Sequence, residues 1–300
     1  MNFHRIAKLF SKLPMDWNKG WAGLSLVTGA ALFFFSSCEE IGPIIDLTGT
    51  FNADTTYVTT QVDTPQIKNV LLEEFTGVRC VNCPKGHVLI DNLKNQYGSR
   101  FIAVSAHSEF QAEPYDGDQD LRTPQADSLE KLLGPIIVKP SGAVDRKKFP
   151  GDSLLVFTSK WTTYVAQQMT LTTPVNIYLE VNYNNGSRML DATVTLHYTS
   201  EDTLESRFTV MLLEDEIITA QLGNSGIDSN YVQKRVLRKM LPSVTGIPLT
   251  ITRERGRVIV KSFNFILPTH WNAENLRVVA FVHRTQGNTE ALQVVEAEVQ

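Results

Sequence analysis

V-L-L-E-E-F-T-G-V-R-C-V-N-C-P-K, residues 70–85, carries the most definite chemistry in this chain. An apolar run from Val70 to Phe75 meets Thr76-Gly77, then the pair Cys80-x-x-Cys83, then Pro84 and a helical pattern. The order is strand, turn, paired thiols, helix. A cysteine at the opening of a helix meets unpaired backbone N–H groups and the positive end of the dipole, and both favour its thiolate. Cys80 is therefore the candidate nucleophile, exposed at the helix end, with Arg79 adding positive charge beside it. Cys83, one turn further in and more buried, is placed to attack a mixed disulfide and release the product. Pro84 suits a first turn, where a missing N–H costs little.

The run E-F-T-G-V-R-C-V-N-C-P-K resembles thioredoxin-fold proteins, in which an acidic residue lies six positions before the first cysteine and a lysine often follows the second. Glu74 and Lys85 fill those places. The resemblance implies that Glu74 is buried under the pair, with its pKa raised by burial, and accepts a proton from the second thiol. It also implies that Pro140, by its order along the chain, is a cis-proline facing the CxxC and shaping a groove for a substrate peptide. Val81-Asn82 stands where thioredoxins have Gly-Pro, and no tryptophan precedes Cys80. More narrowly, L-L-E-E-F-T-G-x-x-C-x-N-C-P is similar to the outer-membrane-protein-28 lipoproteins of Gram-negative bacteria, which join a thioredoxin-like domain to a β-rich one.

A chain of 300 residues with ordinary apolar and charged fractions holds about two domains, each able to bury its own core. Residues 1–37 read as a signal peptide: Arg5, Lys8, Lys12 and Lys19 precede the uncharged stretch Trp21 to Phe35, which is short for a membrane span. Phe35-Ser36-Ser37-Cys38 resembles a lipobox, which implies that Cys38 is acylated and becomes the mature N-terminus. Glu39-Glu40 then resembles a surface-export signal, with a solvated charge pair as the alternative. Removing the leader takes the net charge from −4 to −7, which gives no electrostatic case for nucleic acid. The three cysteines are thereby all assigned: Cys38 to the anchor, Cys80 and Cys83 to the motif.

Residues 38–67 read as a spacer with an edge-strand candidate at Tyr57 to Val62. Residues 68–171 form the expected α/β thioredoxin-like domain. It comprises strand 70–76, a helix after Pro84 ending near Gly98, strand 101–106, a polar loop 108–123, a helix opened by Thr123-Pro124, Pro140, and a helix over 152–169. The second strand of a closing hairpin is not evident in Lys147 to Pro150. Past Thr172-Thr173-Pro174 the signals turn to β, and residues 174–300 are expected to form an all-β Ig-like sandwich of about seven strands. Ser229 to Leu241 interrupts that rhythm with near-helical apolar spacing and interleaved basic residues, the pattern of an amphipathic cover.

The combined reading is a lipid-anchored extracytoplasmic protein whose CxxC exchanges thiols and disulfides with protein substrates, the sandwich serving for docking. The alternative is a surface binding or adhesion lipoprotein in which the CxxC is only a structural disulfide. A zinc or copper site from Cys80, Cys83, His87 and His107 is disfavoured, since one CxxC is half of a zinc knuckle. The acidic loop around Asp116 lacks the glycine of an EF-hand. No cofactor is implied.

Overall fold

The structure, a computed structural model, describes residues 50–136, 138–285 and 289–299; the leader, Cys38 and Glu39-Glu40 lie outside them. Its strands are β1 (Thr50–Val58), β2 (Val70–Thr76), β3 (Phe101–His107), β4 (Ser141–Val144), β5 (Val156–Phe157), β6 (Val175–Asn184), β7 (Met189–Tyr198) and β8 (Ser206–Glu214). They continue with β9 (Ile217–Gly223), β10 (Gly226–Gln233), β11 (Val236–Leu241), β12 (Ile247–Pro248), β13 (Arg257–Ile266), β14 (Leu276–Arg284) and β15 (Ala291–Glu298). Helices α1 (Cys83–Tyr97), α2 (Pro124–Leu133) and α3 (Thr158–Gln168) make up the small helical part of a mostly β protein. Among the described residues, no helix is long and apolar enough to cross a membrane.

β2 and β3 pair in parallel with α1 as their crossover, as the sequence pattern requires. β4 adds antiparallel to β2, and β5 to β4. On the other side, β11 lies parallel to β3, and the order runs on through β8 and β14 to β15. One large sheet thus carries strands from both sides of the expected boundary at 172–174. A second antiparallel sheet, β1-β13-β7-β6, packs on its C-terminal half.

The two-residue period of strands sorts side chains between cores. Phe208, Val210 and Leu212 of β8 face the second sheet, while Met211 and Leu213 join Leu71, Ile102 and Leu129 under α2. Val70 and Leu72 of β2, with Phe101 and Ala103 of β3, meet Ile90, Leu93 and Trp161 from α1 and α3. Both faces of the large sheet are covered, so its strands read as continuous apolar runs.

Four expectations differ from the structure. Ser229 to Leu241 is not a helical cover but the end of β10, a corner at Lys234-Arg235, and β11. Val236, Leu237, Met240 and Leu241 are fully buried because β11 is an interior strand, and a short apolar run of that kind has no decisive period. The strand candidate at 57–62 belongs to β1, which starts at Thr50 and pairs with β13 in the second sheet. The closing strand sought at 147–150 is β5, paired to β4. It takes up Val156-Phe157, so the last helix starts at Thr158 instead of 152.

Buried ion pairs tie the ends of this frame together. Glu73, on the α2 face of β2, receives Arg146 Nε at 2.8 Å and Nη2 at 2.6 Å, and both side chains are almost fully buried. Asp145 accepts from Leu71 N–H and from Lys68, while its carbonyl accepts from Ala291 N–H of β15. Glu73→Ala should therefore destabilise the fold by about 3–5 kcal/mol, because Arg146 is left as an unpaired buried charge. Urea unfolding at neutral pH measures it, and a loss under about 1 kcal/mol would show that water replaces the carboxylate.

Candidate functional site

α1 begins at Cys83 with Asn82 as its cap, so Cys80 sits in the preceding turn, not in the helix. Cys80 N–H donates to Gly77 O and Cys83 N–H to Cys80 O, at 3.0 and 3.2 Å. The two sulfurs are joined, with S–S 2.15 Å. Cys83 is fully buried as expected, but Cys80 is only 2% exposed, which corrects the expectation of an accessible nucleophile.

Two segments cover it. The loop after β3 lies on the turn, where Gln111 O accepts from Arg79 N–H at 2.8 Å. The Arg79 side chain is spent on this loop: Nε and Nη2 donate to the Glu113 and Pro114 carbonyls, and the guanidinium stacks over Tyr115. The β9–β10 hairpin closes the other side. Leu222 N–H donates to Val78 O at 2.7 Å, and Gln221 Nε2 reaches Gly77 O and Cys80 O at 3.2 Å each. Gly77 permits the close approach, since a Cβ there would stand 2.2 Å from Gln111 O.

Two of the sequence-identified groups, Glu74 and Pro140, meet at Gly86 in the first turns of α1. Cys83, Gly86 and His87 share the buried face of α1, the i, i+3, i+4 relation. A Cβ on Gly86 would lie 2.9 Å from Glu74 Oε1 and 3.0 Å from Pro140 Cγ, so the glycine lets the helix settle on both. The Lys139–Pro140 peptide is cis. Glu74 is fully buried, with Oε2 accepting from Ser105 Oγ at 3.1 Å and Oε1 lacking a hydrogen bond.

Sequence reasoning missed the polar layer around Glu74. Cross-strand register sets Glu74 beside Ser105 and Thr76 beside His107, on the sheet face that α1 covers. Thr76 Oγ1 contacts His87 Nε2 at 3.0 Å, and Tyr231 Oη contacts His87 Nδ1 at 2.7 Å. Gln221 and Gln233, inward-facing on the hairpin, bond to each other at 3.1 Å. The signal was present in the alternation V-x-L-x-E-x-T against F-x-A-x-S-x-H, where one face turns from apolar to polar toward the C-terminal strand ends.

Burial pushes the Glu74 carboxyl up to about 8, opposed in part by the Arg235 charge and the Ser105 hydroxyl. Burial also pushes His87 down to about 4 and His107 to about 3. Glu74 and His87, 3.8 Å apart, therefore face each other uncharged near neutral pH and do not form an ion pair. His87 is held by Thr76 and Tyr231, while Ser105 and Gln233 beside His107 only partly offset the burial that lowers it. The histidines of the C-terminal half, His197, His270 and His283, lie apart from this layer: His197 bonds Asp63, and His283 sits by Arg146 and Thr209.

A family description, Outer membrane protein Omp28, matches residues 136–300. The chain belongs to this family. The match includes Pro140 and the C-terminal β region but begins after the cysteine pair. Among solved structures, HBP35 of Porphyromonas gingivalis is similar at 20% identity with a TM-score of 0.62, covering 80% of this chain and 77% of its own. A structural-genomics protein of Agrobacterium tumefaciens is similar at 10% identity with a TM-score of 0.48, covering 79% of this chain and 98% of its own. No curated protein matches the chain significantly.

The raised Glu74 pKa fixes a pH signature. Between its ordinary value of 4.5 and about 8 the folded protein holds a proton that the unfolded chain has released, so stability falls as pH rises through that window. Glu74→Gln should be near neutral at the acid end and more stable than wild type by on the order of 2–4 kcal/mol at the alkaline end. Denaturant unfolding across the window tests this, and a constant difference would show that Glu74 is ionised in the fold.

Proposed function

We propose that this protein is a membrane-anchored extracytoplasmic lipoprotein that exchanges thiols and disulfides through Cys80 and Cys83 in a thioredoxin-like site. In this proposal residues 68–171 are the thioredoxin-like domain, and residues 174–300 form an Ig-like sandwich that docks protein substrates. The observation that carries it is the convergence of a Cys80–Cys83 disulfide, a cis-Pro140 and a buried, protonatable Glu74 at the start of α1. A structural staple needs no such carboxyl, and one that closes so short a loop constrains the unfolded chain little. Membership of an outer membrane protein family supports placing the chain at that membrane, and in this proposal an acyl group on Cys38 is what holds it there.

One observation favours a second reading, a surface binding or adhesion lipoprotein with a structural disulfide: Cys80 is sealed under β9–β10 and the loop after β3. Mixed-disulfide trapping separates the two. Under exchange, Cys83→Ser should capture substrate proteins through Cys80, because attack survives while resolution is lost, and Cys80→Ser should capture almost none. Non-reducing gels of intact cells expressing each variant give the readout. No capture by either variant, with both fully complementing a deletion strain, would establish the structural disulfide.

A further inference from the structure

Glu74 is cut off from water on every side, so any proton it takes from Cys83 needs a way out. The structure offers one row of groups, hydrogen-bonded except at its first link, where His87 Nε2 contacts Thr76 Oγ1 at 3.0 Å instead of Glu74. Glu74 Oε1, free of hydrogen bonds, lies 3.8 Å from His87 Nε2. The other nitrogen of that ring, Nδ1, is 2.7 Å from Tyr231 Oη on β10. His87 and Tyr231 both line a cleft of about 230 Å³ that opens to solvent and is walled by Asp91, Lys234 and Arg235. We propose, building on the exchange reading above, that His87 and Tyr231 relay protons between buried Glu74 and this cleft, so that the hairpin covering the disulfide also supplies the site's proton outlet.

In the direction that reduces a substrate disulfide, Cys80 S⁻ attacks it, forming a Cys80–substrate bond and releasing one substrate thiolate. Cys83 then gives its proton to the Glu74 carboxylate. Its thiolate attacks Cys80 Sγ, the Cys80–substrate bond breaks, and the second substrate thiolate leaves. Two electrons have passed from the protein dithiol to the substrate. As the Thr76 hydroxyl swings off His87 Nε2 and Glu74 closes the 3.8 Å gap to it, the proton on Glu74 passes to Nε2 while Nδ1–H passes its own to Tyr231 Oη, which releases its hydroxyl proton into the cleft. Re-reduction by a dithiol donor brings a proton back along the same row and restores the original imidazole tautomer.

The surroundings suit a relay through a neutral ring. Burial and the Arg235 charge hold His87 at about 4, against the raising influence of Asp91. Burial keeps Tyr231 at about 12, so it transmits a proton without ionising. The other groups facing this row are Thr76, Ser105 and His107 from the sheet, with Lys139 acting on His107 from the segment before β4. Since Glu74 titrates near 8, it holds a proton at neutral pH and must shed it before serving as base. The outlet is therefore used ahead of every resolving step.

The test is a stopped-flow pH jump. Reduced full-length protein is reacted with dithiobis-nitrobenzoate at about pH 5 to form the Cys80 mixed disulfide, then jumped to about pH 8.5, where the second coloured thiolate reports resolution. Tyr231→Phe and His87→Gln should each slow that release by about tenfold or more and leave the first attack unchanged. Added imidazole should restore the rate in Tyr231→Phe by accepting the proton at the cleft. Release at the wild-type rate in both variants would overturn the relay, as would a profile shifted along the pH axis with an unchanged plateau, which would make His87 only a tuner of Glu74. If wild type forms no mixed disulfide either with this small reagent or with an extended peptide carrying an activated disulfide, the exchange reading itself fails and the relay with it.

Discussion

Strand β11 lies against β3, with Ser105 N–H donating to Arg235 O at 2.8 Å, and the rest of the arrangement hangs on that seam. The contact is short, one register pair, yet it fuses the β2–β3 pair and its crossover helix with the antiparallel strands β8, β14 and β15 into one sheet. Because β9 and β10 immediately precede β11, fixing β11 at the β3 edge delivers the hairpin to the C-terminal ends of the parallel strands, where the cysteine turn lies. The same placement brings Arg235 close enough to bias Glu74 and His87 and to pair with Asp91 on α1 at 2.9 Å. The two halves of the sequence meet chemically as well as mechanically.

The layer between sheet and helix is unusual in what it leaves uncharged. A buried carboxylate without a close cation is costly, and the structure answers by keeping Glu74 protonated instead of pairing it. By contrast Glu73, its neighbour on the opposite sheet face, is paired two-pronged with Arg146. Adjacent glutamates in E-E-F-T are thus assigned different tasks by the strand period alone, one to an ion pair in the frame and one to a neutral pocket under the disulfide. Under the exchange reading, a carboxyl held near 8 lies within reach of a thiol's ordinary range, so a proton would pass between them at little cost.

Much of this was legible in the residues. Strand, turn, CxxC and helix could be read from Val70 to Lys85 because each element carries its own local signal: β-branched and apolar run, Thr-Gly, Pro84 in the first turn. Thr123 capping α2 was equally local. What could not be read was long-range. The burial of Cys80 depends on Gln221 and Leu222, well over a hundred residues downstream, and on Gln111, and none of these has a distinctive pattern. β10 and β11 were hidden for opposite reasons. β10 is largely exposed with a register shift between Asp228 and Tyr231, so it shows no clean alternation. β11 is buried on both faces, so it shows none either.

Under the exchange reading the cover on Cys80 must lift, and its attachments bound the cost. β9 is held over the turn by Leu222 N–H to Val78 O, the two Gln221 bonds and Ala220 N–H to Asp118, and its release leaves Tyr231 of β10 on His87. At about 1 kcal/mol net for each bond, release costs roughly 3–5 kcal/mol, an open state populated below about 1%. That is in the range of ordinary local opening and well short of global unfolding. The groups uncovered are carbonyls, those of Gly77, Val78 and Cys80, so what they lose is donors. An extended substrate peptide brings backbone N–H groups that replace those donors, and it recovers much of the opening cost as it docks. A small thiol brings no such donors and meets the full barrier. Under that reading, the lock that makes Cys80 look inert in the closed state would favour polypeptide disulfides over small ones, a selectivity that an exposed CxxC would lack.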